Sequence, residues 1–182
     1  MKRGVLITFE GTEGSGKSTQ ARLLFDWLIS QDLPCTFTRE PGGTEIGEAI
    51  RHIVLNPSYN KFSPMAELFL LLAARAQLTS EILLPAIRDG RIVISDRFGD
   101  STFAYQIFGR NLPQRPVMLF NRFATSALKP DITFLVDVPV DVGLKRAKEL
   151  GVDRFETENI SYHLKVREGY LRLAKRARGR IK

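Results

Sequence analysis

A glycine-rich segment near the N-terminus has the residue types and the spacing of a phosphate-binding loop. Residues 11–18 read GTEGSGKS and match the pattern G-x-x-x-x-G-K-[ST] at every fixed position. Its glycines let backbone N–H groups curl around phosphate oxygens, Lys17 can reach the β- and γ-phosphates, and the Ser18 hydroxyl suits Mg²⁺. The segment therefore predicts a nucleoside triphosphate site. The residues assigned to it are Gly11, Thr12, Glu13, Gly14, Ser15, Gly16, Lys17, Ser18 and Thr19.

The elements on either side of this loop are the ones that a phosphate site requires. Residues 4–10 (GVLITFE) are apolar on both faces, as in a central parallel strand. A helical pattern over 17–30 follows directly, and the N-terminus of that helix adds partial positive charge. A strand, a loop and a helix in this order favour a working phosphate site over a chance glycine turn.

Further along the chain, short apolar runs alternate with helical patterns. The expected strands after the first are 35–39, 91–95 and 131–138. The expected helices after the first are 44–54, 64–86, 101–108, 115–128, 141–149 and 159–177. This alternation predicts an α/β fold of the P-loop NTPase type, a three-layer α/β/α sandwich with a parallel sheet flanked by helices. With no repeat or linker in the sequence, we expect one domain over residues 1–182.

Charge and cysteine content narrow the classes of protein. The net charge is +7, but residues 1–164 carry 19 basic and 19 acidic side chains, so the excess lies wholly in residues 165–182. A basic tail alone is weak evidence for a nucleic-acid surface, and we expect no nucleic-acid partner. The single cysteine, Cys35, allows no intrachain disulfide. No apolar run resembles a signal peptide or approaches the ~20 residues of a membrane span, so we expect a cytoplasmic protein without a membrane partner.

Two classes of P-loop protein differ in what they do with the γ-phosphate. A GTPase switch hydrolyses it, and residues 96–99 (DRFG) fit the D-x-x-G pattern of that class. Guanine recognition needs N-K-x-D, however, and the nearest candidate, residues 60–63 (NKFS), lacks the aspartate. A kinase passes the γ-phosphate to an acceptor. The sequence favours a kinase, with Asp96 near Mg²⁺ in either class, and the GTPase switch remains the alternative.

Three further segments indicate the acceptor. They are residues 38–44 (TREPGGT), 73–77 (AARAQ) and 96–106, in which DRF is followed by Ser101 and by Tyr105-Gln106. With the P-loop, in this order and spacing, they resemble bacterial thymidylate kinase, a P-loop nucleoside monophosphate kinase. The resemblance runs from Val5 to about Lys175. It implies ATP- and Mg²⁺-dependent phosphorylation of dTMP to dTDP by a homodimer.

The resemblance also implies an acceptor site. In the family, the counterparts of Arg97 and Arg51 hold the dTMP phosphate and that of Arg75 donates to thymine O4. The family likewise places Tyr105 against the sugar and a cis-proline at Pro41. A phosphate acceptor is largely a dianion at neutral pH and needs no general base, so the main task is to bring two anions in line. The substrate-binding residues implied in this way are Glu10, Arg39, Pro41, Arg51, Leu71, Arg75, Arg97, Ser101, Tyr105 and Gln106.

Two positions depart from the family pattern. Leu71 stands where the family usually has a phenylalanine that stacks on thymine, which weakens the expected discrimination against uracil. Gly14 stands where some members have an arginine. The bacterial type supplies that cation from a lid, here about residues 145–156, with Arg146, Lys148 and Arg154 as candidates. The assigned catalytic residues are Lys17, Arg97, Arg146 and Arg154, and the metal ligands are Ser18 and Asp96.

Two other interpretations stay open at this stage. A deoxynucleoside kinase would need a carboxylate base beside a sugar hydroxyl, for which Glu40 or Glu10 could serve. A nucleic-acid-binding module would rely on the basic tail. Residues 180–182 also resemble the start of the family's fifth strand, so we expect the final strand and helix of the family to be absent from this chain, and an edge of the sheet to be left unpaired.

Overall fold

A four-stranded parallel sheet forms the centre of the protein. The computed structural model describes residues 3–59, 61–149 and 153–182. The strand order is β2-β3-β1-β4, and every neighbouring pair is parallel. This confirms the predicted α/β fold. The strands are β1 (Val5–Glu10), β2 (Cys35–Arg39), β3 (Ile92–Asp96) and β4 (Ile132–Leu135).

Helices connect the strands and cover both faces of the sheet. The α-helices are α1 (Lys17–Ser30), α2 (Glu45–Leu55), α3 (Pro64–Leu78), α4 (Leu84–Arg88), α5 (Gly99–Thr102), α6 (Gln114–Ala124), α7 (Val140–Lys148) and α8 (Ile160–Arg176). Two π-helical segments, Thr79–Leu83 and Phe103–Gly109, continue α3 and α5. The predicted helix 64–86 is thus interrupted by a π-helical segment, and most of the predicted helix 101–108 is π-helical.

The two faces of the sheet carry separate hydrophobic clusters. On one face, Phe9 and Ile94 pack against Ala21 and Leu28 of α1, together with Cys35. On the other face, strand residues pack against the long helix that contains α3 and α4. That second cluster consists of Leu6, Leu78, Leu83, Ala86, Ile87, Val93 and Phe98. Strands buried on both sides explain the uninterrupted apolar runs in the sequence.

The helix from Pro64 to Arg88 is long and apolar enough to cross a membrane, judged by length and composition, with a mean hydropathy of 1.4. The expectation that no segment approaches a membrane span is therefore wrong for this helix. Two charged residues of this helix indicate that it packs inside the protein. Glu67 and Arg75 are buried and form ion pairs with other parts of the protein. We interpret it as a core helix.

The last residues of the chain pair with β4. Ile181 forms a parallel bridge with Thr133, and the Lys182 amide donates to the Thr133 carbonyl at 2.9 Å. Arg180 adds an ion pair with Asp100 at 2.6 Å. The pairing confirms that residues 180–182 run beside β4 as the start of a strand. It also corrects the expected unpaired edge, because residues 180–182 hydrogen-bond along β4.

Helix α7 touches the phosphate-binding loop through backbone. Gly14 has a positive φ of 62°, and a Cβ on it would lie 1.9 Å from the Gly143 carbonyl oxygen. A Cβ on Gly143 would lie 2.4 Å from the Glu13 carbonyl oxygen. Side chains at either position would push the helix away from the loop. An arginine at Gly14 is therefore incompatible with this packing.

Candidate active site

A cleft of about 770 Å³ opens where β1, β2 and β3 end. This is the edge of a parallel sheet at which such folds bind ligands. The cleft brings together most of the predicted site. Its predicted lining residues are Glu13, Gly14, Gly16, Lys17, Ser18, Thr19, Arg39, Pro41, Arg51, Leu71, Arg75, Asp96, Arg97, Ser101, Tyr105, Gln106 and Arg146. Predicted site residues that do not line it are Glu10, Gly11, Thr12, Ser15 and Arg154.

Lys17 lies buried at the triphosphate end of the cleft. Its Nζ is 3.5 Å from the Thr12 carbonyl oxygen, a contact at the outer limit of a hydrogen bond. Burial, together with the nearby Arg97 charge, lowers the pKa of Lys17 to about 8, although Asp96 and Glu13 oppose the shift. An anionic phosphate beside this lysine would raise its pKa again. The loop therefore carries a cation that a bound anion would stabilise.

Asp96 and Ser18, the predicted metal ligands, both line the cleft beside the loop. Asp96 ends β3, and its Oδ1 is buried without a hydrogen-bond partner in the described residues. Ser18 lines the same cleft in the first turn of α1. Carboxylate and hydroxyl oxygens suit a hard divalent cation. The described ranges contain no group of three His, Cys, Asp or Glu residues that could hold a metal by itself, so such an ion would also need phosphate or water oxygens.

Arg97 crosses from β3 to the phosphate-binding loop. Its backbone is in the left-handed region (φ 73°), and its amide donates to the Phe9 carbonyl at 2.9 Å. Its Nη1 donates to the Gly11 carbonyl at 3.0 Å, and its Nη2 donates to Glu13 Oε1 at 3.2 Å. The guanidinium also lies over the Tyr105 ring, 4.9 Å from its centre. A strained backbone held by this many contacts is typical of a functional position.

Glu13 belongs to the acceptor side of the cleft as well as to the loop. Its Oε1 accepts from the Tyr105 hydroxyl at 2.6 Å and from Arg97. Burial would raise its pKa, but His163, Arg97 and Lys17 together lower it to about 2. The sequence assigned Glu13 only to the triphosphate, because it occupies a variable position of the motif. Nothing local in the sequence indicates where its side chain points.

Glu10 positions other residues and does not line the cleft. It is fully buried, and its Oε1 accepts from the Phe98 amide at 2.8 Å. Its Oε2 accepts from the hydroxyls of Ser101 at 2.7 Å and Tyr170 at 2.8 Å. Burial and the neighbouring Asp100 raise its pKa to about 7. The structure therefore gives Glu10 a supporting position beneath the predicted sugar and metal site.

The guanidinium of Arg75 is fully engaged. Its Nε and Nη2 donate to Glu40, its Nη1 donates to Thr102 and Asn121, and its Nη2 also donates to the Phe98 carbonyl. All five N–H groups thus have partners. Burial raises the pKa of Glu40, against the effect of Arg75. The predicted hydrogen bond to thymine O4 therefore requires Arg75 to exchange a partner.

Two further arginines line the acceptor side. Arg51 donates to the Pro41 carbonyl at 2.8 Å, and the Glu40–Pro41 peptide bond is cis, which confirms the sequence-based expectation. Arg39 pairs with Glu48 at 3.1 Å. Burial lowers the pKa of Arg51, and the charge of Arg39 adds to the effect. The cleft thus holds several like charges in the absence of an anion.

The lid candidates separate into two environments. Arg146 lines the cleft from α7, whereas Lys148 does not. Arg154 is buried and donates to Glu67 at 2.7 Å and to the Val54 carbonyl at 2.8 Å, outside the cleft. Within the lid expected at 145–156, residues 150–152 lie outside the described residues.

The apolar and amide contacts of the predicted base site lie on α3 and the second π-helical segment. Leu71 lines the cleft, and Gln106 donates to Glu67 at 3.1 Å. Tyr105 and Gln106 are consecutive yet both buried beside the cleft. A π-helical turn widens the helix and changes the angle between successive side chains. The sequence predicts an ordinary helix here and gives no signal for this segment.

Known proteins with a similar sequence and fold are kinases. The P-loop, the half-buried Arg97 that crosses to it and the second cationic wall fit a P-loop phosphotransferase of the nucleoside monophosphate kinase class. The family model "Thymidylate kinase" matches residues 9–182. The chain belongs to the thymidylate kinase family. This membership confirms the resemblance expected from the sequence and does not favour the GTPase switch or the deoxynucleoside kinase.

Individual relatives agree with the family. A thymidylate kinase of Carboxydothermus hydrogenoformans is 48% identical over 180 residues, which cover 98% of this chain and 88% of the relative. One of Geotalea daltonii is 47% identical over 186 residues, covering 98% and 87%. A crystal structure of thymidylate kinase from Ehrlichia chaffeensis has a TM-score of 0.82 at 30% identity, covering 99% and 91% of the two chains.

The raised pKa of Glu10 makes stability depend on pH. Between the ordinary pKa of 4.5 and about 7, the folded protein keeps a proton that the unfolded chain has lost. The free energy of unfolding should therefore fall as the pH rises through this window, by roughly 3 kcal/mol from Glu10 alone. Glu10→Gln removes this contribution. Urea unfolding of both proteins at pH 5 and pH 7.5 measures this. Relative to the wild type, the free energy of unfolding of the variant should be higher at pH 7.5 than at pH 5. An unchanged difference would contradict the assignment.

Proposed function

We propose that the chain transfers the γ-phosphoryl group of ATP to the phosphate of dTMP, forming dTDP and ADP. The observation that carries the proposal is the position of Arg97. It joins the acceptor wall to the phosphate-binding loop through Gly11 and Glu13. A cation in that place can contact both phosphate groups. Family membership supplies the identity of the acceptor.

The reaction depends on charge and position more than on proton transfer. The acceptor phosphate is already largely a dianion at neutral pH, because its second pKa is about 6. Lys17 faces the donor phosphates, and Arg97 with Arg51 faces the acceptor. These cations neutralise two anions that must approach in line. Bringing the anions together in the cleft also relieves the repulsion among the cations themselves.

Mg²⁺ fits the ligands at the triphosphate end. Ser18 and Asp96 would hold it, since the buried Oδ1 of Asp96 lacks another partner within the described residues. When bound, Mg²⁺ neutralises phosphate charge and orients the triphosphate. The adjoining Lys17 then needs to balance only part of the charge on the β- and γ-phosphates.

The remaining cleft would bind thymine and deoxyribose. Leu71 offers apolar contact to the base, while Arg75 and Gln106 offer N–H donors once their present partners are exchanged. Tyr105 and Ser101 line the expected sugar position. We place this enzyme in the cytoplasm, as one kinase domain over residues 1–182, with ATP and dTMP as partners and without nucleic acid or membrane.

A comparison of acceptors tests this proposal. With ATP and Mg²⁺, we expect turnover with dTMP, slower turnover with dUMP and none with thymidine. Coupling ADP formation to NADH oxidation measures each rate, and a reaction without acceptor gives the hydrolysis background. Turnover with thymidine but none with dTMP would favour a deoxynucleoside kinase. Rapid hydrolysis without acceptor would favour a switch.

The lid cation can be assigned with a pair of variants. We propose Arg146 as the residue that contacts the transferring phosphate, because it lines the cleft; the joint assignment of Arg154 stays a prediction. Arg146→Met should lower kcat by about 100-fold or more and leave the unfolding temperature unchanged. Arg154→Met should chiefly lower the unfolding temperature, since it leaves the buried Glu67 short of a partner. If Arg154→Met instead has normal stability and a large loss of kcat, the catalytic role belongs to Arg154.

An exposed aromatic patch supports the expected homodimer. Phe69 of α3 and Phe120 of α6 pack edge to face with ring centres 5.6 Å apart. Both are more than one-third exposed, and Phe123, one turn further along α6, is 74% exposed. Apolar patches of this kind mark protein interfaces, and we propose a second copy of the chain as the occupant. In sedimentation experiments the wild type should be a dimer and Phe123→Glu a monomer; a monomeric wild type would contradict this.

A further inference from the structure

A buried histidine lies against the phosphate-binding loop and is not used by the mechanism above. His163 is in the first turns of α8, is 1% exposed, and has its Nδ1 3.5 Å from Glu13 Oε2. We propose that His163 is a positioning residue that holds the Glu13 carboxylate in place for acceptor binding. The inference rests on the proposed function and adds to it a residue outside the cleft.

The hydrogen-bond inventory of Glu13 leaves one oxygen for His163. Oε1 accepts from Tyr105 and Arg97, whereas Oε2 is buried and has no hydrogen-bond partner among the described residues. Both ring nitrogens of His163 are also buried and unpartnered in that part of the chain. Leaving a buried polar group unpaired costs about 1–3 kcal/mol. Glu13 Oε2 and His163 Nδ1 face each other at 3.5 Å. A small approach to hydrogen-bond length would give each of them a partner and remove that cost.

The charge of Glu13 determines which atom of the pair donates the hydrogen bond. Arg97 and Lys17 hold the pKa of Glu13 low, so its carboxylate is ionised and can only accept. His163 must then carry a proton on Nδ1 and donate it in the hydrogen bond. Tyr162 packs edge to face against the imidazole, with ring centres 5.5 Å apart.

His163 acts on the acceptor through Glu13. If Oε2 loses its partner, the carboxylate is free to rotate, and Oε1 then moves away from Arg97 and Tyr105. Arg97 loses one of the contacts that place it beside the Gly11 carbonyl. The Lys17 ammonium contacts the Thr12 carbonyl rather than this carboxylate. Loss of His163 should therefore weaken the use of dTMP more than the use of ATP.

Two substitutions of the same residue separate positioning from packing. The amide nitrogen of asparagine can replace Nδ1 as a donor, whereas leucine fills similar space without a donor. We expect His163→Leu to raise the KM for dTMP about tenfold, the cost of one hydrogen bond, and to change the KM for ATP less than about threefold. His163→Asn should stay within about threefold of the wild type in both. Equal losses in the two variants, or equal rises in both KM values, would overturn the proposal.

A double-mutant cycle then tests whether His163 works through Glu13. In a Glu13→Gln background, His163→Leu should cause little further rise in the KM for dTMP, because the charged acceptor is already gone. Additive losses would contradict the coupling. Thermal unfolding identifies any variant that fails to fold. If His163→Leu does not fold, a clear rise in the KM for dTMP in a folded His163→Asn protein would still contradict the proposal. A wild type without dTMP turnover would overturn the proposed function, and this inference with it; an active wild type with additive losses would overturn the role of His163 alone.

Discussion

The ion pair between Arg97 and Glu13 joins the two halves of the active site. Arg97 follows β3 and Glu13 follows β1, and these strands pair with Phe9 opposite Asp96. The register brings both residues to one edge of the sheet, where a left-handed backbone at Arg97 turns its side chain across the loop. The loop proposed to bind triphosphate and the wall proposed to bind the acceptor therefore share a partly buried charge pair. Neither can move far without breaking it.

Two buried glutamates, Glu10 and Glu13, support this arrangement with pKa values shifted in opposite directions. Glu10 accepts hydrogen bonds from an amide and two hydroxyls, and burial beside Asp100 raises its pKa to about 7. Glu13 has Arg97 and His163 beside it and a pKa of about 2. The contrast follows from environment, as it does in other paired carboxylates. Glu10 holds the backbone and hydroxyls around Arg97, whereas Glu13 balances the guanidinium.

The elements that could be predicted from the sequence are those with a signal in neighbouring residues. The glycine pattern, the apolar runs and the helical periodicity predict the bounds of α1 and β2 to the residue, and most of the acceptor residues that the resemblance implies line one cleft. Contacts between residues far apart in the sequence could not be predicted in this way. Arg75 pairs with Glu40 and Asn121, which are 35 and 46 residues away, and Arg154 reaches Glu67, 87 residues away. No period or motif encodes such pairs, because they arise only when the helices pack around the sheet.

The saturated guanidinium of Arg75 determines how the base can be recognised. A donor to thymine O4 becomes available only if one of the five N–H groups leaves its partner. Every one of these bonds has the charged guanidinium as donor, but only the bonds to Glu40 also have a charged acceptor. The bonds to Thr102 and Asn121 are therefore cheaper to exchange than those to Glu40. In the proposed dTMP complex Leu71 would provide contact area without an aromatic ring, so base discrimination would rest on the N–H donors of Arg75 and Gln106.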